Sequence, residues 1–282
     1  EGILRAMDGK PVVIRLLDAP LHEFLPGHEE LMTDVVELRL KGDDPAALAE
    51  KESLLAAVSD MREANPMLGL RGCRLGLMYP DIYAMQMTAV LEAAANVAAQ
   101  GLTPRPEIMV PLVGHGNEMR ELRELLEGAA ERFHRETSAE VHFKIGTMIE
   151  VPRAALTADE IARNAEFFSF GTNDLTQTAF GISRDDAEGK FLMDYVERQV
   201  LPNDPFQVVD RKGVGQLVQM AFERGREARP DLTVGICGEH GGDPSSVEFF
   251  HGVGLDYVSC SPYRIPIARL AAAQAALRSA GQ

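Results

Sequence analysis

Cysteine is scarce in this chain: Cys73, Cys237 and Cys260 are the only three among 282 residues. Their odd number and the lack of any CxxC or metal-type spacing exclude a disulfide framework and fit reduced thiols in a cytoplasmic protein. Positive charge is also short, with 28 Lys and Arg against 43 Asp and Glu, a net charge of -15. Nucleic acid and anionic membrane are thereby disfavoured as main partners, because each requires a broad basic face. A small anion would need a local reversal of sign from a few arginines, backbone N–H groups or a metal. No apolar run approaches the roughly 20 residues that cross a bilayer. The opening EGILRAM has neither the basic region nor the apolar run of a signal peptide, and a start at Glu1 reads as a fragment. Low-complexity tracts and long internal repeats are absent.

What is present is alternation. Short β-rich runs separated by longer helical patterns indicate βαβ units and a parallel sheet. Seven runs qualify: 11–17, 73–78, 107–113, 142–150, 167–171, 232–237 and 256–260. Between them, stretches such as 117–136 carry apolar residues at helical spacing with charge opposite, as outer helices do. Asp44 before Pro45 predicts an N-cap and first-turn proline, and Thr157 with Glu160 predicts a capping box. Residues 18–70 read as a long connection holding two helices, and 181–205 as a charged, irregular segment. The expected fold is α/β, a TIM (β/α)8-type barrel over 1–282 whose first strand would lie upstream of Glu1. A doubly wound sheet is the alternative.

The unusual polar residues fall at the predicted strand ends. Arg15 lies in the first run, Glu150 ends the fourth, Asn173 and Asp174 follow the fifth, and Cys237 ends the sixth. In a barrel such positions converge on one face. Glu150 and Asp174 are 24 residues apart, about one β/α repeat, so their carboxylates are expected at neighbouring strand ends. That pair, with positions left for water and substrate oxygens, suits Mg2+ or Mn2+; helix capping or pairing with arginine is the plainer alternative. GTNDLTQ (171–177) opens a helix whose N–H groups could face an anion, with Gly171 permitting close approach and Asn173 beside the metal. Capping by Thr172 or Asn173 fits the same spacing. Arg15, flanked by apolar residues, needs a carboxylate or anionic ligand as partner. Arg71, Arg74 and Arg184 are weaker candidates of the same kind. Glycines bracket Cys237 and favour an accessible thiol able to move a proton. Cys73 and Cys260 read as core residues, and His240 as a structural hydrogen-bonding group, with a share in the chemistry of the Cys237 loop as the alternative.

VVIRLLDAPLHEFLP, NPMLGLRGCRLGLMYP, MIEVPRAAL, FFSFGTNDLTQTAFGISRDDAEGKFL, GICGEHGGDP and SCSPYRIPIARLAAAQAAL span 11–277. In this order they resemble signatures of the pyruvate phosphate dikinase family, in its C-terminal domain for phosphoenolpyruvate and pyruvate. Phosphoenolpyruvate synthase and the sugar phosphotransferase enzyme I share the EVP, GTNDLTQ and CGE themes, but HEFLP and CGEHGGDP resemble the dikinase. The resemblance implies that Glu150 and Asp174 hold Mg2+, that Arg15, Arg71, Glu150, Gly171, Thr172, Asn173 and Asp174 contact substrate, and that Cys237 donates a proton to the methylene carbon. It further implies a phosphohistidine on a swivelling domain of the same enzyme, an ATP-handling domain and a homodimer. Leu70 departs from the family pattern, which has histidine there. The family's first barrel strand, with a further arginine, is also missing from the chain, which is not expected to complete the reaction alone. Two other functions compete: a metal-dependent lyase acting on pyruvate enolates, and a binding and dimerisation module using the apolar helix near the C-terminal end.

Overall fold

The computed structural model describes residues 1–19 and 25–280. Most of the HEFLP motif, residues 22–24, lies outside them. Among the described residues six strands form one parallel sheet in sequence order, β1 to β6. They are β1 Pro11–Arg15, β2 Arg105–Val110, β3 Lys144–Ile149, β4 Phe167–Gly171, β5 Thr233–Cys237 and β6 Tyr257–Val258. Every neighbouring pair is parallel, with helices in the crossovers. The order never reverses, so the topological switch point of a doubly wound sheet is absent. This is the open, half-barrel wall of a TIM-type α/β fold, with β1 and β6 at its edges.

One expected strand is a helix. Residues 73–78 form the helix Cys73–Met78, so β1 pairs directly with β2. A six-residue apolar run cannot be assigned by periodicity alone, and here burial of Cys73, Leu75 and Gly76 follows one helical face. The Cys73 thiol donates to the Leu112 carbonyl at 3.2 Å, tying this helix to the end of β2. The two helices expected in 18–70 are His28–Lys41 and Pro45–Asp60. Asp44 caps the second by accepting from the Ala47 N–H at 2.9 Å. Thr157 does not form a capping box: its hydroxyl donates back to the Arg153 carbonyl at 2.9 Å, satisfying the preceding turn instead.

Strand side chains alternate between two environments, as the period of two requires. Ile108, Val110, Ile145, Ile149, Phe168, Phe170, Val234 and Ile236 pack outward into one core with helix residues such as Leu122, Leu126 and Val218. Met109, Met148 and Phe167, with Val13 and Cys237, form a separate cluster on the other face. By the same parity Arg15, Glu150, Gly171 and Cys237 belong to that inner face at the C-terminal strand ends. Of these, Gly171 and Cys237 are direct partners across β4 and β5.

Candidate active site

Loop sequence between the β1 end and the helix Cys73–Met78 supplies a paired arginine. Arg71 is almost fully buried, its side chain only 5% exposed. Its Nη2 and Nε donate to the two carboxylate oxygens of Asp18 at 2.7 and 3.2 Å, and Nη1 donates to Asp174 Oδ1 at 3.3 Å. Burial disfavours the charged guanidinium, but the bond to Asp18 and the charges of Asp174 and Asp18 outweigh it, so its pKa is raised. Arg15 reaches the same carboxylate at 3.5 Å while remaining 48% exposed. Asp18 therefore holds both arginines on the inner face, one locked and one open to a ligand. Its role was not expected from the sequence, although its position three residues after Arg15, just beyond a strand, is the available signal.

The other arginines serve elsewhere. Arg74 donates to the Leu68 and Gly69 carbonyls at 2.9 and 2.8 Å, holding the turn ahead of Arg71. Arg184 pairs with Glu188 at 2.8 Å and lies over the Phe206 ring. Leu70, half-buried, donates its N–H to Glu63 Oε1 at 2.6 Å, a bond that any residue but proline could make.

Glu150, immediately after β3, is fully buried. Its Oε1 accepts from the Leu112 N–H at 2.6 Å, while its Oε2 has no hydrogen-bond partner. Burial, then the neighbouring charges of Asp174 and Asp18, push this carboxyl up to about 8. A buried carboxylate oxygen without a partner is costly unless a cation or donor meets it. Gly171 makes the approach possible: a Cβ there would overlap Glu150 Oε2 and come within 2.6 Å of Met148 Cε. Asn173 Oδ1, from the first turn of the helix Thr172–Phe180, is likewise buried without a partner. Among the described residues no group of three or more His, Cys, Asp or Glu side chains forms a metal cage. Two carboxylates with the remaining positions open are instead the donor set that Mg2+ accepts when it keeps waters and substrate oxygens.

Thr172 is fully buried and its Oγ1 lies 2.7 Å from His240 Nδ1. That bond engages its hydroxyl, and its backbone N–H, at a helix start, is left for an anion. The Cys237 thiol donates to the Phe170 carbonyl at 3.5 Å. Burial raises its pKa, which keeps the proton on sulfur. The structure therefore gathers Arg15, Arg71, Glu150, Gly171, Asn173, Asp174 and Cys237 at one end of the sheet. Leu112, whose contribution is a backbone N–H, could not be found from side-chain chemistry.

Parallel strands in sequence order, with polar groups gathered at their C-terminal ends, place the chain among α/β proteins of barrel type, whose sites are built there. The family described as PEP-utilising enzyme, PEP-binding domain, matches residues 1–277, and the chain belongs to it. Among its relatives, pyruvate, phosphate dikinase 2 of Oryza sativa is 58% identical over 98% of this chain and 30% of its own length. Pyruvate, phosphate dikinase 1 of Arabidopsis thaliana is 59% identical over 97% of this chain and 28% of its own length. The Entamoeba histolytica pyruvate, phosphate dikinase is 54% identical over 98% of this chain and 31% of its own length. The chain thus spans less than a third of these relatives.

Proposed function

We propose that residues 1–282 are one barrel domain carrying the phosphoenolpyruvate and pyruvate half-site of a pyruvate, phosphate dikinase. The overall reaction would be ATP, phosphate and pyruvate to AMP, diphosphate and phosphoenolpyruvate. The observation that carries this reading is the unpartnered Glu150 Oε2, set beside Asp174 and the arginines held by Asp18. Such a pocket needs a cation and an anion together, as a chelated carboxylate substrate provides.

In this reading Glu150 and Asp174 hold Mg2+, which when bound would stabilise the negative charge that develops on the substrate oxygen. Arg15 and Arg71 orient the carboxylate and phosphate through charge-assisted hydrogen bonds. The helix start at Thr172–Asp174 offers backbone N–H groups to the same anion. Cys237, kept protonated by burial, gives its proton to the methylene carbon as the phosphoryl group leaves, and in the reverse direction its thiolate takes a methyl proton. The phosphoryl group would pass to and from a phosphohistidine on a swivelling domain of the same enzyme, working as a homodimer in the cytoplasm. Among the described residues no helix is long and apolar enough to cross a membrane.

Titration calorimetry with Mg2+ and oxalate, a planar enolate mimic, tests the reading. Oxalate should bind only when Mg2+ is present; heat that does not depend on Mg2+, or no heat at all, removes it.

A further inference from the structure

His240 is fully buried and both of its ring nitrogens are engaged. Nε2 lies 2.8 Å from the Pro205 carbonyl, which can only accept, so Nε2 carries the proton. Burial lowers the pKa of the ring and keeps it neutral. Nδ1 is therefore an acceptor, and Thr172 donates its hydroxyl proton to it at 2.7 Å. Having a single proton, that hydroxyl cannot at the same time serve the Cys237 carbonyl, 3.4 Å away.

This chain of bonds joins three segments. Pro205 sits in a loop anchored at Val209, whose N–H donates to Ser246 Oγ at 3.0 Å, and by the buried Phe206. Thr172 opens the helix that bears Asn173 and Asp174. His240 lies three residues after Cys237, in a turn begun by Gly238 at φ 110°. A Cβ on Gly238 would stand 3.2 Å from Thr172 Oγ1 and 3.4 Å from Asn173 Oδ1, so the thiol-bearing turn lies flat against the first turn of the helix. Apolar packing would close this seam without fixing how far the two turns are offset. The directional bond from Thr172 to His240 fixes that offset.

We propose that His240 is a positioning residue for proton transfer: through Thr172 it sets the Cys237 thiol in register with the substrate held at the helix start. The inference rests on the dikinase reading. It assigns His240 no contact with substrate and no proton of its own to give.

The test uses the intact polypeptide that carries this chain and four variants: H240F, H240Q, T172V and the double variant T172V/H240F. Two quantities are measured, kcat for pyruvate formation from phosphoenolpyruvate with AMP and diphosphate, and the Kd of oxalate with Mg2+. Misplacing the donor in H240F should lower kcat by on the order of 10–100-fold. Oxalate affinity should stay within about threefold, since ground-state binding does not use the thiol. T172V should show most of that loss and the double variant should fall no further than H240F, because both substitutions remove the Thr172–His240 bond; H240F also frees the Pro205 carbonyl. H240Q, which keeps one acceptor and one donor, should recover most of the rate. The inference fails if H240F retains its kcat, if the two losses multiply, or if oxalate affinity falls in step with kcat. Should H240F not fold, T172V and H240Q give the same decision. An unaltered polypeptide that forms no pyruvate overturns the dikinase reading itself, and the inference with it, before any variant is compared.

Discussion

Leu112 donates its backbone N–H to Glu150 Oε1 at 2.6 Å from a left-handed conformation, φ 61°. For a residue with a Cβ, that conformation costs on the order of 1–3 kcal/mol and persists only where the surroundings enforce it. The Cys73 thiol, bonded to the Leu112 carbonyl, is part of that enforcement. Fixing Oε1 leaves Oε2 directed at the inner face with no partner, so the strain serves to hold one carboxylate oxygen free.

E150Q should therefore lose metal-dependent oxalate binding and, without metal, change how stability depends on pH. The carboxyl is pushed up to about 8 in the folded chain, against about 4.3 when unfolded. Between these values the folded state holds the extra proton, so the stability of the metal-free protein falls as pH rises, by up to about 1.4 kcal/mol per pH unit. Urea midpoints across this range should show that slope in the unaltered chain and its loss in E150Q. Parallel curves would mean that Glu150 is not the strained group.

G171A tests the same pocket by volume alone. The added methyl would overlap Glu150 Oε2 and crowd Met148 Cε. Glu150 must then move, and oxalate affinity in the presence of Mg2+ should drop by about 10-fold or more while the chain still folds. Unchanged affinity would show that Glu150 Oε2 does not need its present place.

Much of this was legible in the sequence because strand parity and strand ends are local properties. β4 was bounded correctly by its apolar run and the glycine that ends it, and polar residues stood out beside apolar runs: Arg15 within one, Glu150 and Cys237 at the ends of two, Asp174 just after another. What was not legible depended on tertiary context. Cys73–Met78 reads as a strand until its burial on one helical face is known. The bond between the Thr172 hydroxyl and His240 joins residues 68 positions apart, which no local pattern announces. Asp18 and Leu112 act by holding other groups, which residue type alone does not announce.

Arg71 sits between Asp18 and Asp174 as a buried ion-paired cluster. Such clusters contribute little when complete and cost much when broken, because the partner charge is left stranded. R71M should lower stability by about 3–5 kcal/mol, and D18N/R71M should regain a large part of it. Chemical denaturation of both decides the matter: a double variant no more stable than R71M would place the cost elsewhere than in stranded Asp18.

C237A removes the proposed proton donor without disturbing the charged groups. Oxalate affinity with Mg2+ should stay within about threefold of the unaltered chain. In the intact polypeptide, pyruvate turnover should fall by at least about 100-fold, with ATP-dependent histidine phosphorylation preserved. Turnover near the original rate would transfer the proton donor's role to another group.

His240 gives the opposite pH signature to Glu150. Burial holds its pKa below the ordinary range, against the Pro205 carbonyl and Asp243, which raise it; Arg184 lowers it and Asp204 raises it. The unfolded chain takes up this proton near about 6.5, the folded chain only at lower pH. Below the unfolded value the unfolded state thus binds more protons, and the stability His240 contributes is present above it and lost as pH falls toward the folded value. H240Q cannot titrate. The stability difference between the unaltered chain and H240Q should therefore shrink on acidification below about pH 6.5, by up to about 1.4 kcal/mol per pH unit. Subtracting the variant cancels the carboxylates common to both chains, so a difference that stays constant with pH would mean that the folded imidazole takes up its proton as readily as the unfolded one. The bond from Thr172 would then contribute nothing that favours the neutral ring, and the register between helix and thiol would have to be set by other contacts.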